Sequence, residues 1–305
     1  MKISVIGVGR VGSTVAYSAV VKGLVDEIVL VDRAREIAEG EAHDLLHAAS
    51  FTAHPVDVRA GGYPETAGSD VVVICASVPW QPEFSSRLDL AVGNAKLYRE
   101  IIPEIAAASP DAVLLVVTNP VDVLTYHALR ISGFPPSRVI GTGTLVDSAR
   151  FRALLSQEVG IHPDDLRAYI LGEHGDSGFP ALSVALTGGK RIDAESDRGR
   201  EIFRTALQAG HFVFERKGYT NFAIAMAAAT VIEAVARDSR RTMPVSVLVE
   251  GYLGVEDVSL SLPCVIGRQG IIRQLHPDLC EEEAAAFRRS AGIVREAIEA
   301  SSVSA

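Results

Sequence analysis

Gly7-Val8-Gly9-Arg10-Val11-Gly12 follows an apolar run and opens a helix-length segment, and Asp32 stands twenty residues beyond Gly12 at the end of a second apolar run. Glycines at this spacing permit a tight turn, close approach of the backbone to a pyrophosphate, and close packing of helix on strand. The helix N-terminus adds free N–H groups and the positive end of its dipole. A carboxylate at Asp32 accepts both hydroxyls of a ribose and repels a 2′-phosphate, which selects NAD over NADP. A glycine fingerprint alone is weak; strand, glycines, helix, second strand and terminal acid in register are a strong signal. Gly7, Gly9, Val11, Gly12 and Asp32 are the first cofactor-binding candidates.

Four further segments carry the side chains of acid–base and anion chemistry: Ser86-Arg87-Leu88-Asp89-Leu90, Val117-Thr118-Asn119-Pro120-Val121-Asp122, Leu145-Val146-Asp147-Ser148-Ala149-Arg150 and Gly172-Glu173-His174-Gly175-Asp176. His174, in a glycine-flanked loop, has a side chain that gains and loses a proton near neutral pH. Arg150 falls three residues after Asp147, on the same side of a helix, and its planar guanidinium matches a carboxylate. Taken singly, each has a plainer reading: His174 a satisfied loop histidine, Arg150 a surface ion pair, Asp147 a helix cap, Asn119-Pro120 a turn, Thr220 helix packing. Their joint occurrence in chain order carries the argument.

The elements that must position these residues alternate. Residues 3–6, 27–31, 70–75 and 112–117 are short, Val- and Ile-rich and apolar on both faces, and helix-length segments 11–21, 38–48, 88–107 and 121–131 lie between and after them. Strands buried on both faces and separated by helices imply a doubly wound parallel sheet. From about Gly141 the texture changes. Residues 182–192 read as a hairpin around Gly188-Gly189, 199–238 as a long helical region, and 245–252 and 258–266 as antiparallel strands. Asp278 and Glu281 read as a capping box for a terminal helix. The expected organisation is α/β, with an N-terminal Rossmann domain over residues 1–142 and a C-terminal α+β substrate domain over 143–305, for a chain of 305 residues.

With these motifs the chain resembles the L-lactate/L-malate dehydrogenase family over essentially its whole length. The resemblance implies that His174 moves the hydroxyl proton, Asp147 orients and supports it, Arg150 anchors the carboxylate of a 2-oxo or 2-hydroxy acid, and Arg87 is the mobile-loop arginine that polarises the carbonyl. It also implies that Asn119 holds the substrate oxygen and positions the nicotinamide, that Thr220 borders the pocket, and that Asn94 and Thr118 join Asn119 at the cofactor NAD. A homotetramer and a glycolytic role are further implications. In bacterial members an Arg at Arg152, with a His in the segment before the Gly-Glu-His-Gly motif, binds fructose 1,6-bisphosphate; here Arg167 stands in place of that His.

Substrate choice within the family turns on a loop residue that is Arg for oxaloacetate and neutral Gln for pyruvate. Residues 77–86 contain no Lys or Arg, and the specificity position falls on Gln81 counted back from Arg87 or on Trp80 counted forward from Cys75. A desolvated second carboxylate without a cationic partner is strongly rejected. The expectation is pyruvate and L-lactate, with a larger apolar L-2-hydroxy acid as the alternative, since by the resemblance Gly210-His211 opens space where lactate enzymes commonly have Ala-Tyr or Ala-Ala, and with malate disfavoured. Rival classes are an NAD-dependent glycosidase, which needs a metal cluster, and a non-catalytic NAD(H)-sensing module, which needs no proton-transfer group. His43 and His47 have metal-ligand spacing, but Asp44 replaces the Glu of the zinc-protease pattern, so no metal is expected.

Twenty-nine Lys and Arg against 38 Asp and Glu give a net charge of −9, which excludes a diffuse basic field for nucleic acid or anionic lipid. No apolar run reaches the roughly 20 residues of a membrane span. Three scattered cysteines, Cys75, Cys264 and Cys280, and the absence of a leader-like start suggest a reducing, cytoplasmic setting.

Overall fold

Val- and Ile-rich runs that are apolar at successive positions form strands covered on both faces. In the computed structural model, which describes residues 1–79, 87–192 and 197–302 without the side chains of Arg87, Leu88, Asp197 and Arg200, these are β1 (Lys2–Ile6), β2 (Glu27–Val31), β4 (Val71–Ile74) and β5 (Val113–Val116), joined in the same sheet by β3 (Asp57–Ala60) and β6 (Val139–Gly141). The helices among them are α1 (Arg10–Val21), α2 (Arg35–Ala49), α3 (Arg87–Ala108) and α4 (Val121–Ser132). The strands pair in parallel in the order β3-β2-β1-β4-β5-β6. Side chains alternate across this sheet: Ile3, Val5, Val71 and Val73 join the core that includes Val15 and Ala16 of α1, whereas Ile6, Val72 and Ile74 join the core that includes Tyr98 and Ile102 of α3. The strand order reverses between β1 and β4, and a crevice outside the carboxyl ends of the strands at such a point is where ligands bind in doubly wound sheets.

The second half continues with α5 (Leu145–Val159), the two-residue strands β7 (Leu166–Arg167), β8 (Ile170–Leu171), β9 (Phe179–Pro180), β10 (Leu186–Thr187) and β11 (Lys190–Arg191), then α6 (Asp197–Lys217) and α7 (Phe222–Ala236). Long strands β12 (Arg241–Glu250) and β13 (Glu256–Gly267), the shorter β14 (Gly270–Gln274) and α8 (Glu281–Ser302) follow. β12 pairs antiparallel with β6 at Ser246 and Gly141, so β12, β13 and β14 extend the parallel sheet to nine strands. A third core of Phe151, Leu155, Leu166, Ile170, Ile202 and Ala206 lies beneath α5 and α6.

Three local expectations are corrected. Residues Leu182–Val184 form a 3-10 turn, and the hairpin around Gly188-Gly189 is limited to β10 and β11. The helical region 199–238 is broken into α6 and α7 at residues 218–221, where Gly218 takes φ +79°. Helix α8 begins at Glu281, with Ala284 N–H donating to the Cys280 carbonyl, so Asp278 lies outside the helix and does not cap it.

Candidate active site

β1 ends at Ile6 and the chain turns through Gly7, at φ +88°, into α1. A Cβ on Gly7 would sit 2.5 Å from the Ala76 nitrogen, and one on Gly12 would sit 2.0 Å from the Gly7 carbonyl oxygen, so both positions exclude any side chain. Among the described residues nothing lies within 4 Å of the corresponding point on Gly9: there the turn is closed behind and open in front. Asp32 braces it, Oδ2 accepting from Val8 N–H at 2.9 Å and Oδ1 from Ala34 N–H at 3.0 Å. Each carboxylate oxygen retains capacity for another donor.

Val11 is half-buried against the core. Asn94 is fully buried, its Oδ1 accepting from Val78 N–H at 2.8 Å and its Nδ2 donating to the Asn119 carbonyl at 2.8 Å. Thr118 donates to the Ala76 carbonyl at 2.8 Å. Asn94 and Thr118 thus tie the segments after β4 and β5 together, and Asn119 beside them is exposed.

The second cluster is built of charges. Asp147 lies in the first turn of α5 and His174 on the loop between β8 and β9, which is anchored to the main sheet by paired backbone hydrogen bonds between Gly172 and Ser261. Asp147 Oδ2 meets His174 Nδ1 at 2.5 Å, and Asp147 Oδ1 accepts from Arg150 Nη1 at 3.1 Å. Burial opposes the charge on both partners, and their mutual attraction overcomes it. The Asp147 pKa is lowered by His174 and Arg150, and the His174 pKa is raised by Asp147 and, more weakly, by Asp122. A protonated imidazole is thereby favoured beside a guanidinium that is only partly engaged.

The sequence matches two family models, the NAD binding domain of lactate/malate dehydrogenase over residues 1–141 and its alpha/beta C-terminal domain over residues 144–303. The chain belongs to the lactate/malate dehydrogenase family. It is 42% identical to an L-lactate dehydrogenase of Thermoanaerobacter sp. (strain X514), over 98% of each chain, and 42% identical to that of Thermus aquaticus, over 98% of this chain and 99% of that protein. A crystal structure of a lactate dehydrogenase from a Medee basin deep-sea metagenome library superposes with a TM-score of 0.95 at 36% identity, covering 99% of this chain and 98% of the other. That of the minor L-lactate dehydrogenase of Enterococcus mundtii gives 0.93 at 33% identity, over 98% and 97%.

As a member of this family the chain is an NAD-dependent oxidoreductase. The cradle described above fits that cofactor: room at Gly9 and the N-terminus of α1 for the pyrophosphate, and Asp32 for a ribose.

Other anticipated residues lie on α2, α3, α5 and β7 and in the break between α6 and α7. Thr220 is half-buried in the break between α6 and α7. Its neighbours pack on the first turns of α1: the Arg10 guanidinium lies 4.0 Å from the Tyr219 ring centre and Asn221 Nδ2 donates to Thr14 Oγ1 at 3.0 Å. Arg87 opens α3, and its side chain, like Trp80 and Gln81, lies outside the described residues. Arg152 and Arg167 line a cavity of about 410 Å³ with Arg150, Asp164, Tyr169 and Arg241. Burial, with Arg241 and Arg167 adding to it, lowers the Arg152 pKa against Tyr169 and Asp164. His43 and His47 are exposed on α2, and among the described residues no group of three or more His, Cys, Asp or Glu is placed to hold a metal.

Sequence reasoning missed two contributors. Gly210 of α6 packs against Arg150, where an added Cβ would lie 3.0 Å from Nη1; the space beside the glycine is taken by the Arg150 guanidinium, and His211 faces solvent and pairs with Glu215 at 3.0 Å, so neither residue opens room for a larger substrate. Asp122 accepts the backbone N–H of His174 at 2.7 Å. Its place in the Asn119-Pro120-Val121-Asp122 segment was visible, but no spacing rule connects it with a residue 52 positions away.

Proposed function

We propose that the chain is an L-lactate dehydrogenase that interconverts pyruvate, NADH and a proton with L-lactate and NAD. The observation that carries this reading is the Asp147–His174 and Asp147–Arg150 contacts, which put a proton donor and a carboxylate-binding fork on one aspartate. NAD, when bound, supplies or accepts the hydride. Arg150 binds the substrate carboxylate. His174, its Nδ1 held by Asp147, gives the proton on Nε2 to the carbonyl oxygen in reduction and takes it from the hydroxyl in oxidation. Arg87 polarises that carbonyl, Asn119 orients the substrate oxygen and the nicotinamide, Thr220 borders the pocket, and Trp80 or Gln81 takes the specificity position.

The choice of pyruvate is supported by the absence of Lys and Arg from residues 77–86 and by the relatives named L-lactate dehydrogenase. The test is NADH oxidation with pyruvate, oxaloacetate, 2-oxoisocaproate and phenylpyruvate: pyruvate is expected to have the highest kcat/KM, and a preference for oxaloacetate overturns the reading. Division into a cofactor part, 1–142, and a substrate part, 143–305, belongs to this proposal.

So does a cytoplasmic, glycolytic homotetramer. In support, no helix of the described residues is long and apolar enough to cross a membrane, and Tyr17 and Val21 of α1, Leu46 of α2 and Phe222 and Met226 of α7 are exposed, apolar surface of the kind that subunit contacts cover. Fructose 1,6-bisphosphate as activator rests on the arginines of the 410 Å³ cavity. Titration with it should lower the pyruvate KM, and Arg152→Gln should abolish the response.

A further inference from the structure

Asp122, in the first turn of α4, is 2% exposed. Its Oδ2 takes the His174 backbone N–H, and its Oδ1 has no hydrogen-bond partner among the described residues. The Ser246 hydroxyl of β12 is also without a partner; it acts on the Asp122 carboxyl in favour of the ionised form but does not complete a hydrogen bond.

Burying a carboxylate with one oxygen unsatisfied is unfavourable. Holding an N–H requires only an acceptor, and an uncharged Asn of the same shape would supply one. A role confined to anchoring the loop therefore leaves the charge unexplained. Its nearest consequence is electrostatic, since the group it touches belongs to the histidine.

We propose that Asp122 is a positioning residue for proton transfer: its Oδ2 holds the loop that carries His174, and its buried negative charge, with that of Asp147, keeps the imidazole protonated for reduction of the 2-oxo acid. The inference rests on the assignment of His174 as the proton donor. The groups involved come from every element around the pair. Asp122 is faced by His174 and Glu173 from the loop after β8 and by Ser246 from β12; His174 is faced in addition by Asp147 and Arg150 from α5. Burial pushes the Asp122 carboxyl up to about 6, against Ser246 and the N–H and charge of His174, with Glu173 adding to the rise. The N-terminal dipole of α4 also favours its ionised form. Above that pH His174 has two anionic partners, and below it one.

The test is Asp122→Asn in the full enzyme, which keeps the acceptor and removes the charge. The His174 imidazole is titrated by NMR, its resonance assigned by difference with His174→Gln, and the pH profile of kcat/KM for pyruvate is measured in parallel. The His174 midpoint is expected to fall by about one pH unit, and kcat/KM on the alkaline side of the profile to fall about tenfold, with less than a twofold change on the acid side. Ser246→Ala, which leaves Asp122 harder to ionise, should move the midpoint the same way by less. A midpoint unmoved in Asp122→Asn overturns the proposal; should that variant fail to fold, an unmoved midpoint in Ser246→Ala does so. Wild-type turnover in His174→Gln overturns the assignment of His174 instead, and the two failures are distinct.

Discussion

The glycine turn and the histidine cluster are made in different ways. The turn is a backbone device: one stretch from Gly7 to Gly12 gives it its shape through the side chains it lacks, and one carboxylate, Asp32, braces it through two N–H groups. The cluster is a side-chain device, assembled from α4, α5, α6 and the loop after β8, and its working property is the balance between burial and attraction on Asp147, His174 and Asp122. Damage to the first should therefore be steric and appear in cofactor affinity and stability, whereas damage to the second should appear in the handling of pyruvate and in its pH dependence.

The sharpest separation is expected from His174→Gln, which removes the proton donor. Pyruvate turnover should fall by about a thousandfold while NADH affinity, read by fluorescence, stays within about twofold; a parallel loss of NADH binding would show that the two devices are not separate. Asp147→Asn comes next. Because Asp147 holds the His174 pKa above its ordinary value against burial, and reduction uses the protonated imidazole, kcat/KM for pyruvate in the wild type should decline as pH rises through that raised pKa. Removing the carboxylate should move the decline about two pH units toward acid, leaving lactate oxidation favoured at lower pH than before. Gly12→Ala presses a methyl into the Gly7 carbonyl and should weaken NADH binding about tenfold and lower stability by about 2 kcal/mol, with the His174 titration unmoved. The smallest effect belongs to Gly210→Ala: a methyl at 3.0 Å from the Arg150 guanidinium should raise the pyruvate KM about threefold by crowding its fork, with kcat retained.

The same contrast explains what was legible in the sequence. The strands around the glycine turn, the turn itself and Asp32 lie within one βαβ unit, where period and spacing are local, and they were read to within a residue or two. β3 and β6 were not. Asp57–Ala60 carries Asp and Arg beside a single buried Val, and Val139–Gly141 is only three residues long, so neither shows a strand period. Asp147 and Arg150 were readable as a helical pair, but their meeting with His174 was supplied by family resemblance, because nothing local brings residue 147 to residue 174. Asp122 and Gly210 act through contacts across the fold that leave no pattern in the chain. Among the antiparallel strands of the second half β12 and β13 were anticipated, whereas β14 and their joining to the parallel sheet were not: that joining depends on one pair, Ser246 with Gly141, and on the absence of a side chain at 141, where a Cβ would lie 2.2 Å from Thr125 Oγ1.

This shared sheet bears on how the molecule can be cut and recombined. A fragment ending near residue 142 would keep the glycine turn and Asp32 but leave β6 as a bare edge, with its N–H and C=O groups offered to any other strand in solution. Such a fragment should self-associate, and grafting the cofactor half onto a foreign partner should succeed only where the partner supplies a strand to take the place of β12.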